Sequence, residues 1–225
     1  MLKRFVIHYN QGLGDHIICN GLVRFLLNSW RPNLVLLPVK KKIYNSVRDM
    51  YGNEHSPLQI ATYDESKISE TAFVESISVG HSVPVLRLPA NNKSPFDVQF
   101  YRHLNIPFSQ RWAGFDRSRV CRANKLPIDI PERFALVATS GSFGEASIDI
   151  SACIPIIRVR ELTDSIFDWA PLITLAEQLH AIDSSFIHLA DSLDLTGKKL
   201  FYYDIGRGST FHLRHEWSRV PVTAR

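Results

Sequence analysis

KRFVIHYNQGLGD, residues 3–15, is a short β-type run that ends in a turn with two glycines and an aspartate. Lys3–Tyr9 predicts a first strand. The residues after the turn, Ile17–Trp30, contain no proline and are apolar almost all round, which is typical of a buried helix. A strand, a glycine turn and a buried helix in this order predict the opening of a parallel α/β sheet.

Strands and helices continue to alternate along the chain. A strand is predicted at Asn33–Val39, followed by a helix at Lys41–Met50 that Gly52 closes. Further strands are predicted at Leu58–Thr62, Val83–Leu88, Phe134–Ser140, Ile154–Val159, Leu179–Ile182 and Lys199–Tyr203, and further helices at Phe96–Leu104, Phe167–Gln178 and Ser184–Leu193. We expect an α/β protein of two small Rossmann-like halves with parallel sheets, residues 1–115 and 130–225. The stretch from about 90 to 130, which is rich in proline, arginine and aromatics, is the candidate linker and interdomain region.

Composition narrows the class of protein. The 225 residues are 45% hydrophobic and 21% charged, which is ordinary for a globular protein with a core. No segment reaches the ~18 consecutive apolar residues that span a bilayer, and the N-terminus is interpreted as a strand rather than a signal peptide. Cys19, Cys121 and Cys153 have no CxxC spacing, so we expect neither disulfides nor structural zinc, and we expect each cysteine to be buried. These features predict a cytoplasmic protein.

The net charge and the absence of known binding motifs indicate which classes of ligand to expect. The formal net charge of +4 fits a polyanionic ligand such as a nucleotide diphosphate. The chain has no zinc finger, no RNP aromatic pattern and no basic heptad region, so no nucleic-acid partner is expected. The histidines are scattered without an HExxH motif, so no bound metal is expected.

The first candidate site is Gly12-Leu13-Gly14-Asp15-His16. A glycine turn that opens a helix presents free backbone N–H groups, and glycines let the backbone approach a ligand closely. The dinucleotide fingerprint GxGxxG fails because Ile17 stands where its third glycine belongs, and no Walker A motif is present. Asp15 at this position is either a base that faces a hydroxyl group or a residue that caps the helix.

The second candidate site is Ile182–Asp191, IDSSFIHLAD. Ser184 is a good N-cap after a short apolar strand. Ser184, His188 and Asp191 fall on one helical stripe, which is either a solvated face or part of a ligand site at a strand end. Ser140-Gly141-Ser142 follows another strand and is either a phosphate loop or a plain turn. Arg158 and Arg160 are candidates to pair with phosphate.

Together, the GxGD turn and the late Asp183-Ser184-Ser185-x-x-His188-Leu189-Ala190 motif resemble GT-B glycosyltransferases, in particular the ADP-heptose transferase group. In that group, an N-terminal GxGD loop faces the acceptor and a C-terminal DSGPxHLA helix start holds the donor diphosphate. The order of the motifs agrees, although Ser185-Phe186 replaces Gly-Pro and the chain is shorter than is usual for that fold.

The resemblance implies a compact GT-B-like arrangement with the two motifs on opposite walls of an interdomain cleft. It implies an inverting, metal-independent transfer from a nucleotide-sugar donor, which is a substrate and not a cofactor, to a glycan or lipid-linked sugar, with peripheral membrane contact allowed. Asp15 would be the general base. The candidate donor-binding residues are Gly12, Gly14, Ser140, Gly141, Ser142, Arg158, Asp183, Ser184, Ser185 and His188. The alternatives are a non-catalytic nucleotide-binding protein of the same fold and a nucleotide-sugar epimerase or hydrolase.

Overall fold

The structure, a computed structural model, describes residues 2–10, 12–52, 57–88, 95–117, 126–142, 144–148, 150, 152–205 and 210–222. The chain divides into two compact units. Unit 1 comprises Met1–Asp116 and Ser209–His212, and unit 2 comprises Arg117–Gly208 and Leu213–Arg225. Each unit contains a parallel sheet, which confirms the predicted α/β class. The assignment of one half to the acceptor and the other to the donor stays a prediction.

The sheet of unit 1 is covered by helices on both faces. Its strands are β1 (Arg4–His8), β2 (Leu34–Lys40), β3 (Leu58–Tyr63) and β4 (Val85–Arg87), and its helices are α1 (Leu13–Trp30), α2 (Tyr44–Tyr51), α3 (Glu70–His81), α4 (Phe96–His103) and α5 (Gln110–Ala113), with a 3₁₀ turn at Lys41–Ile43. On β1, Phe5 packs against Trp30 of α1, and Val6 belongs to a cluster with Val74 of α3. Burial on both faces explains the continuous apolar run of this strand.

Strand order in unit 1 is β3-β2-β1-β4, and every neighbouring pair is parallel. The chain moves outward from β1 to β2 and β3, and then places β4 on the other side of β1. The order therefore reverses between β1 and β4. Ligands of open α/β sheets bind outside the carboxyl ends of the strands at such a switch point. Gly12–Asp15 follows the carboxyl end of β1 and so lies at this edge.

Two glycines bring α1 and α5 into close backbone contact. A Cβ at Gly21 of α1 would stand 1.9 Å from the carbonyl oxygen of Gln110, and a Cβ at Gly114 would stand 2.8 Å from the Cα of Gly21. The Tyr101 hydroxyl of α4 donates a hydrogen bond to the carbonyl of Ile18 at 2.7 Å. The predicted linker region therefore contributes two helices to the packing of unit 1.

A buried ion pair fixes α4 and α5 in unit 1. The side chains of Asp97 and Arg111 are 0% and 1% exposed, and the guanidinium donates to the carboxylate. Arg111 also donates to the carbonyl of His212 at 2.6 Å, and the backbone N–H of His212 donates to Asp97 at 2.8 Å. Each buried charge thus has hydrogen-bond partners, as a buried pair requires.

Unit 2 is built on a second parallel sheet. Its strands are β5 (Ala135–Ala138), β6 (Ser140–Gly141), β7 (Gly144–Glu145), β8 (Ile156–Arg158), β9 (Gln178–Ile182), β10 (Lys199–Asp204) and β11 (Ser218–Pro221), and its helices are α6 (Ala170–Leu175) and α7 (Ser185–Asp191), with a 3₁₀ turn at Ile166–Trp169. The sheet order is β11-β10-β9-β5-β8, and β6 and β7 form a separate antiparallel ladder. The chain goes from β5 to β8 and then to β9 on the other side of β5, so the order reverses between β5 and β9.

The structure corrects several details of the sequence prediction. The helix predicted over Phe167–Gln178 ends at Leu175, because Gln178 begins β9. The elements α3 and β11 are absent from the prediction. The expectation of buried cysteines is confirmed for Cys19 and wrong for Cys153, which is exposed in the connection before β8. Cys121 lies outside the described residues.

No helix in the described part of the chain combines the length and the apolar character that a membrane span needs.

Candidate functional site

Two predicted motifs of unit 2 begin side by side at the switch point. Strands β5 and β9 pair in parallel, with Ala138 opposite Ala181. Ser140–Ser142 follows Thr139 directly after β5, and Asp183 and Ser184 follow β9. Because parallel strands end at the same edge of a sheet, the two connections leave neighbouring strand ends. This is the edge at which α/β sheets bind ligands.

The connection after β5 is a small hairpin. Ser140 pairs with Glu145 and Gly141 with Gly144 in the β6–β7 ladder. The Thr139 hydroxyl donates to the Glu145 carboxylate at 3.3 Å. The side chains of Ser140 and Ser142 are exposed. The backbone of this connection is therefore partly engaged in its own ladder, while its serine hydroxyls face solvent.

Ser184 occupies the N-cap position of α7 without capping it. Its φ and ψ are −154° and 173°, as expected for an N-cap, but its side chain makes no capping hydrogen bond. The residue is 8% exposed, and its Oγ is buried without a hydrogen-bond partner among the described residues. A buried hydroxyl without a partner costs about 1–3 kcal/mol. The prediction of Ser184 as the N-cap is therefore confirmed in its position, while the capping hydrogen bond is absent among the described residues.

The rest of the predicted stripe on α7 is buried. His188 is 3% exposed and Asp191 is 0% exposed, so the interpretation of the stripe as a solvated face is wrong. The Asp191 carboxylate accepts hydrogen bonds from the backbone N–H groups of Arg214 and His215 and from the indole of Trp217, at 2.8–3.2 Å. Asp191 thus holds the C-terminal segment of unit 2 against α7.

The remaining predicted site residues of unit 2 differ in their exposure to solvent. Arg158 is the last residue of the edge strand β8, opposite Val137 of β5, and it is exposed at the same edge as Ser140. Asp183 is 5% exposed, whereas Ser185 is partly exposed. Arg158, Ser140 and Ser142 are exposed and Ser185 is partly exposed, whereas Asp183 and Ser184 are buried.

In unit 1, the GxGD turn forms the beginning of α1. Gly12 is the N-cap, Gly14 and Asp15 lie in the first turn, and the N–H of His16 donates to the Gly12 carbonyl at 3.1 Å. An oxygen of Asp15 lies 2.8 Å from the position of a Cβ at residue 12. A carboxylate in the first turn of a helix is stabilised by the helix dipole. Both interpretations of Asp15, as base and as stabiliser of the helix end, are compatible with this position.

Behind the turn, His16 is fully buried. Its Nδ1 lies 2.9 Å from the Tyr9 hydroxyl, and its Nε2 has no partner among the residues that the structure describes. Burial, with a smaller contribution from Lys40, lowers the pKa of His16 to about 3. Burial also raises the pKa of Tyr9, so both groups are neutral at pH 7. The side chains of Tyr9 and His16 next to the turn therefore form a buried pair without charge.

A cluster at the carboxyl edge of the unit 1 sheet was not visible in the sequence. The Arg87 guanidinium donates to His8 Nδ1 at 2.9 Å, and His8 Nε2 lies 2.7 Å from the Glu70 carboxylate. Because a guanidinium can only donate, Nδ1 accepts, and Nε2 carries the proton that binds Glu70. The Tyr63 hydroxyl donates to the other Glu70 oxygen at 3.3 Å. The separation of His8 and Glu70 by 62 positions leaves no local sequence signal for this cluster.

Within the described ranges, no three His, Cys, Asp or Glu side chains converge to hold a metal ion. Comparison with known proteins gives no match, whether to a protein-family model, to a curated protein or to a solved structure.

Proposed function

We propose that this protein is an inverting, metal-independent glycosyltransferase that moves a sugar from a nucleotide-sugar donor to a glycan or lipid-linked sugar. The observation that supports the proposal best is the position of Ser140–Ser142 and Asp183–Ser185 at the neighbouring carboxyl ends of β5 and β9. The resemblance of the two motifs to the ADP-heptose transferase group supplies the reaction type. A nucleotide diphosphate is the ligand class that such an edge accommodates.

The proposed donor site consists of hydroxyl groups and one guanidinium group at the carboxyl edge of the unit 2 sheet. Ser184 offers a buried hydroxyl without a partner in the described chain, and Ser185 is partly exposed beside it. Arg158 offers a cation at the same edge. Charge-assisted hydrogen bonds from these groups would stabilise the negative charge that develops on the departing nucleotide. His188 is buried, so the proposal assigns it the positioning of α7 rather than direct contact with phosphate.

The proposed general base is Asp15. It would accept the proton of the acceptor hydroxyl as that oxygen attacks the anomeric carbon, while the carbon–oxygen bond to the nucleotide diphosphate breaks and the diphosphate leaves. The position of Asp15 at the β1–β4 switch point supports this role, because this edge is where an α/β unit binds its substrate.

A non-catalytic nucleotide-binding protein is the second candidate. One observation favours it: the Asp15 carboxylate lies against Gly12 in the first turn of α1, where it stabilises the helix whether or not the protein catalyses a reaction. The two candidates share the nucleotide site of unit 2 and differ in the role of Asp15.

The experiment compares the wild type with the variant Ser184→Ala/Ser185→Ala. Binding of ADP, UDP and GDP and of the corresponding nucleotide sugars is measured by calorimetry. We expect the variant to weaken binding by about a hundredfold or more, because it removes two hydrogen bonds and each hydrogen bond to a charged group contributes roughly 1.5–3 kcal/mol. Ser192→Ala is the matched control, since the Ser192 hydroxyl donates to the His188 carbonyl at 2.8 Å at the other end of α7. Equal affinity in the wild type and the double variant would contradict the assignment of the donor site.

A further inference from the structure

We propose that Ser165 is a further ligand-binding residue of unit 2, and that its hydroxyl contacts the same nucleotide diphosphate as Ser184. This inference rests on the proposed function for the identity of the ligand. It rests on the structure for the choice of residue, because Ser165 belongs to none of the sequence motifs.

The hydroxyl groups of Ser165 and Ser184 are both buried without a hydrogen-bond partner among the described residues. Ser165 is 6% exposed and Ser184 is 8% exposed, and neither Oγ has a hydrogen-bond partner in the part of the chain that the structure describes. Both residues stand at the N-cap position of a helical segment, and neither side chain caps it. Folding has therefore removed two hydroxyl groups from water without giving either of them a partner among the described residues, which is unfavourable unless a ligand supplies one.

Two serines of α3, the exposed Ser69 and the partly buried Ser78, find hydrogen-bond partners within the protein. Ser69 is the N-cap of α3, and its Oγ accepts a hydrogen bond from the N–H of Ala72 at 3.3 Å. Ser78, within α3, donates to the carbonyl of Val83 at 2.6 Å. Ser109, the exposed N-cap of α5, also makes no capping bond, so the missing cap alone does not distinguish Ser165 and Ser184. Their distinguishing feature is a buried hydroxyl without a partner among the described residues.

Topology places both hydroxyls at the ligand-binding edge. Ser165 lies in the connection that leaves the carboxyl end of β8 and returns through the 3₁₀ turn Ile166–Trp169 and α6 to the start of β9. Ser184 begins the connection that leaves the carboxyl end of β9. Strands β8 and β9 lie on either side of β5, and α6 packs against α7. Two packed helices that both follow parallel strands begin at the same edge of the sheet.

The chemistry of the pair fits an oxygen-rich anion. A serine hydroxyl can donate one hydrogen bond and accept two, so it can bind either a phosphate oxygen or a ribose hydroxyl. Both helical segments are short, and the inference uses their hydroxyl groups rather than their dipoles. Together with Arg158 at the end of β8, Ser165 and Ser184 would contact one nucleotide from both sides of β5.

The test measures binding and stability in Ser165→Ala, Ser184→Ala and the double variant, with ADP, UDP and GDP as probes. We expect Ser165→Ala to weaken binding of the preferred nucleoside diphosphate by about 10- to 100-fold. We expect its melting temperature without nucleotide to stay level or rise, because the substitution removes a buried hydroxyl without a partner. Ser69→Ala is the matched control, and it should lower the melting temperature and leave nucleotide affinity unchanged.

The outcomes separate this inference from the proposed function. If Ser184→Ala weakens nucleotide binding and Ser165→Ala does not, Ser165 is not a ligand residue and the donor site stands without it. A fall in melting temperature with unchanged affinity in Ser165→Ala would also overturn the inference, since it would assign the hydroxyl a structural role. If the wild type binds none of the three probes, both the inference and the proposed function fail.

Discussion

The Asp15 carboxylate lies against the Cα of Gly12, with one oxygen 2.8 Å from the place that a Cβ at residue 12 would take. Glycine at this position therefore sets the position of the carboxylate as well as the shape of the turn. The contact makes the role of Asp15 testable without changing its charge, because a methyl group at residue 12 must push the carboxylate aside.

Gly12→Ala should reduce sugar transfer while leaving the fold intact. The displaced atom is the end of a flexible side chain, and the loss of a carboxylate from its place at the helix end costs about 0.3–1 kcal/mol. We expect a small fall in the melting temperature and a fall in transfer rate that approaches that of Asp15→Asn. Nucleotide affinity, measured by calorimetry, separates the two roles of Gly12: it equals that of the wild type if Gly12 acts only by placing Asp15, and it falls if Gly12 is itself one of the donor-binding residues. Full transfer activity in Gly12→Ala would show that the position of the carboxylate does not matter to the reaction.

Gly21→Ala should destabilise unit 1 strongly. Its Cβ would stand 1.9 Å from the Gln110 carbonyl oxygen, which belongs to the backbone of α5 and cannot rotate away. Overpacking of this kind costs about 1–3 kcal/mol and sometimes more, and we expect the upper end of that range or a failure to fold. Gly80→Ala in α3 is the control, because no neighbouring atom of the described residues lies within 4 Å of its Cβ position. That variant should gain about 0.5–1 kcal/mol in urea unfolding.

The buried His16 should make the fold sensitive to acid. Its pKa is lowered to about 3 in the folded chain by burial, and it is about 6.5 in an unfolded chain. Between these values the unfolded chain binds a proton that the folded chain does not, so stability falls as the pH falls from about 6.5 towards 3. The expected slope is about 1.4 kcal/mol per pH unit from this residue.

Urea unfolding of the wild type and His16→Gln from pH 7 to pH 5 measures this dependence. Burial also lowers the pKa of His180, to about 4, so His16→Gln should reduce the slope without abolishing it. His81→Gln is the control, because His81 is exposed at the end of α3. The same pH slope in the wild type and His16→Gln would contradict a neutral, buried His16.

Asp191 should be essential for the C-terminal segment of unit 2. Asp191→Ala leaves the N–H groups of Arg214 and His215 and the indole of Trp217 without their acceptor. We expect a loss of about 3 kcal/mol or more and faster hydrogen exchange at residues 214 and 215. Asp194→Ala, at an exposed carboxylate that accepts hydrogen bonds from Thr196 in its own turn, should leave exchange at these amides unchanged. Unaltered exchange in Asp191→Ala would show that other contacts hold the segment.

The parallel sheets were predictable because their strands are short apolar runs separated by helices. The apolar run within the predicted strand Asn33–Val39 is typical of a strand that is buried on both faces, and six of the seven residues of β2 are buried. By contrast, α3 mixes β-branched residues and serines, and of its residues only Val74 is buried, so its apolar pattern is weak. Strand β11 has four residues and ends in proline, and it is a strand only because it pairs with β10.

For the candidate site, the sequence predicted the position of the two motifs but not the role of each side chain. Ser140–Ser142 and Asp183–Ser185 each come directly after a predicted strand. Because parallel strands end at one edge of a sheet, the sequence predicts that both segments lie at this edge. The roles of single side chains do not follow from it. Whether Ser184 caps α7, and whether Ser165 has a partner, depend on the geometry of each helix start and not on the residue type.

The central claim is that the protein transfers a sugar, and release of nucleotide diphosphate that depends on an acceptor tests it most directly. Wild type and Asp15→Asn are incubated with a panel of nucleotide sugars, with and without glycan or lipid-linked acceptors, and the released diphosphate is quantified. We predict acceptor-dependent release by the wild type, a roughly 10²–10⁴-fold lower rate in Asp15→Asn, and equal donor affinity in both. Donor binding without acceptor-dependent release by the wild type, or equal rates in the two proteins, would contradict the account.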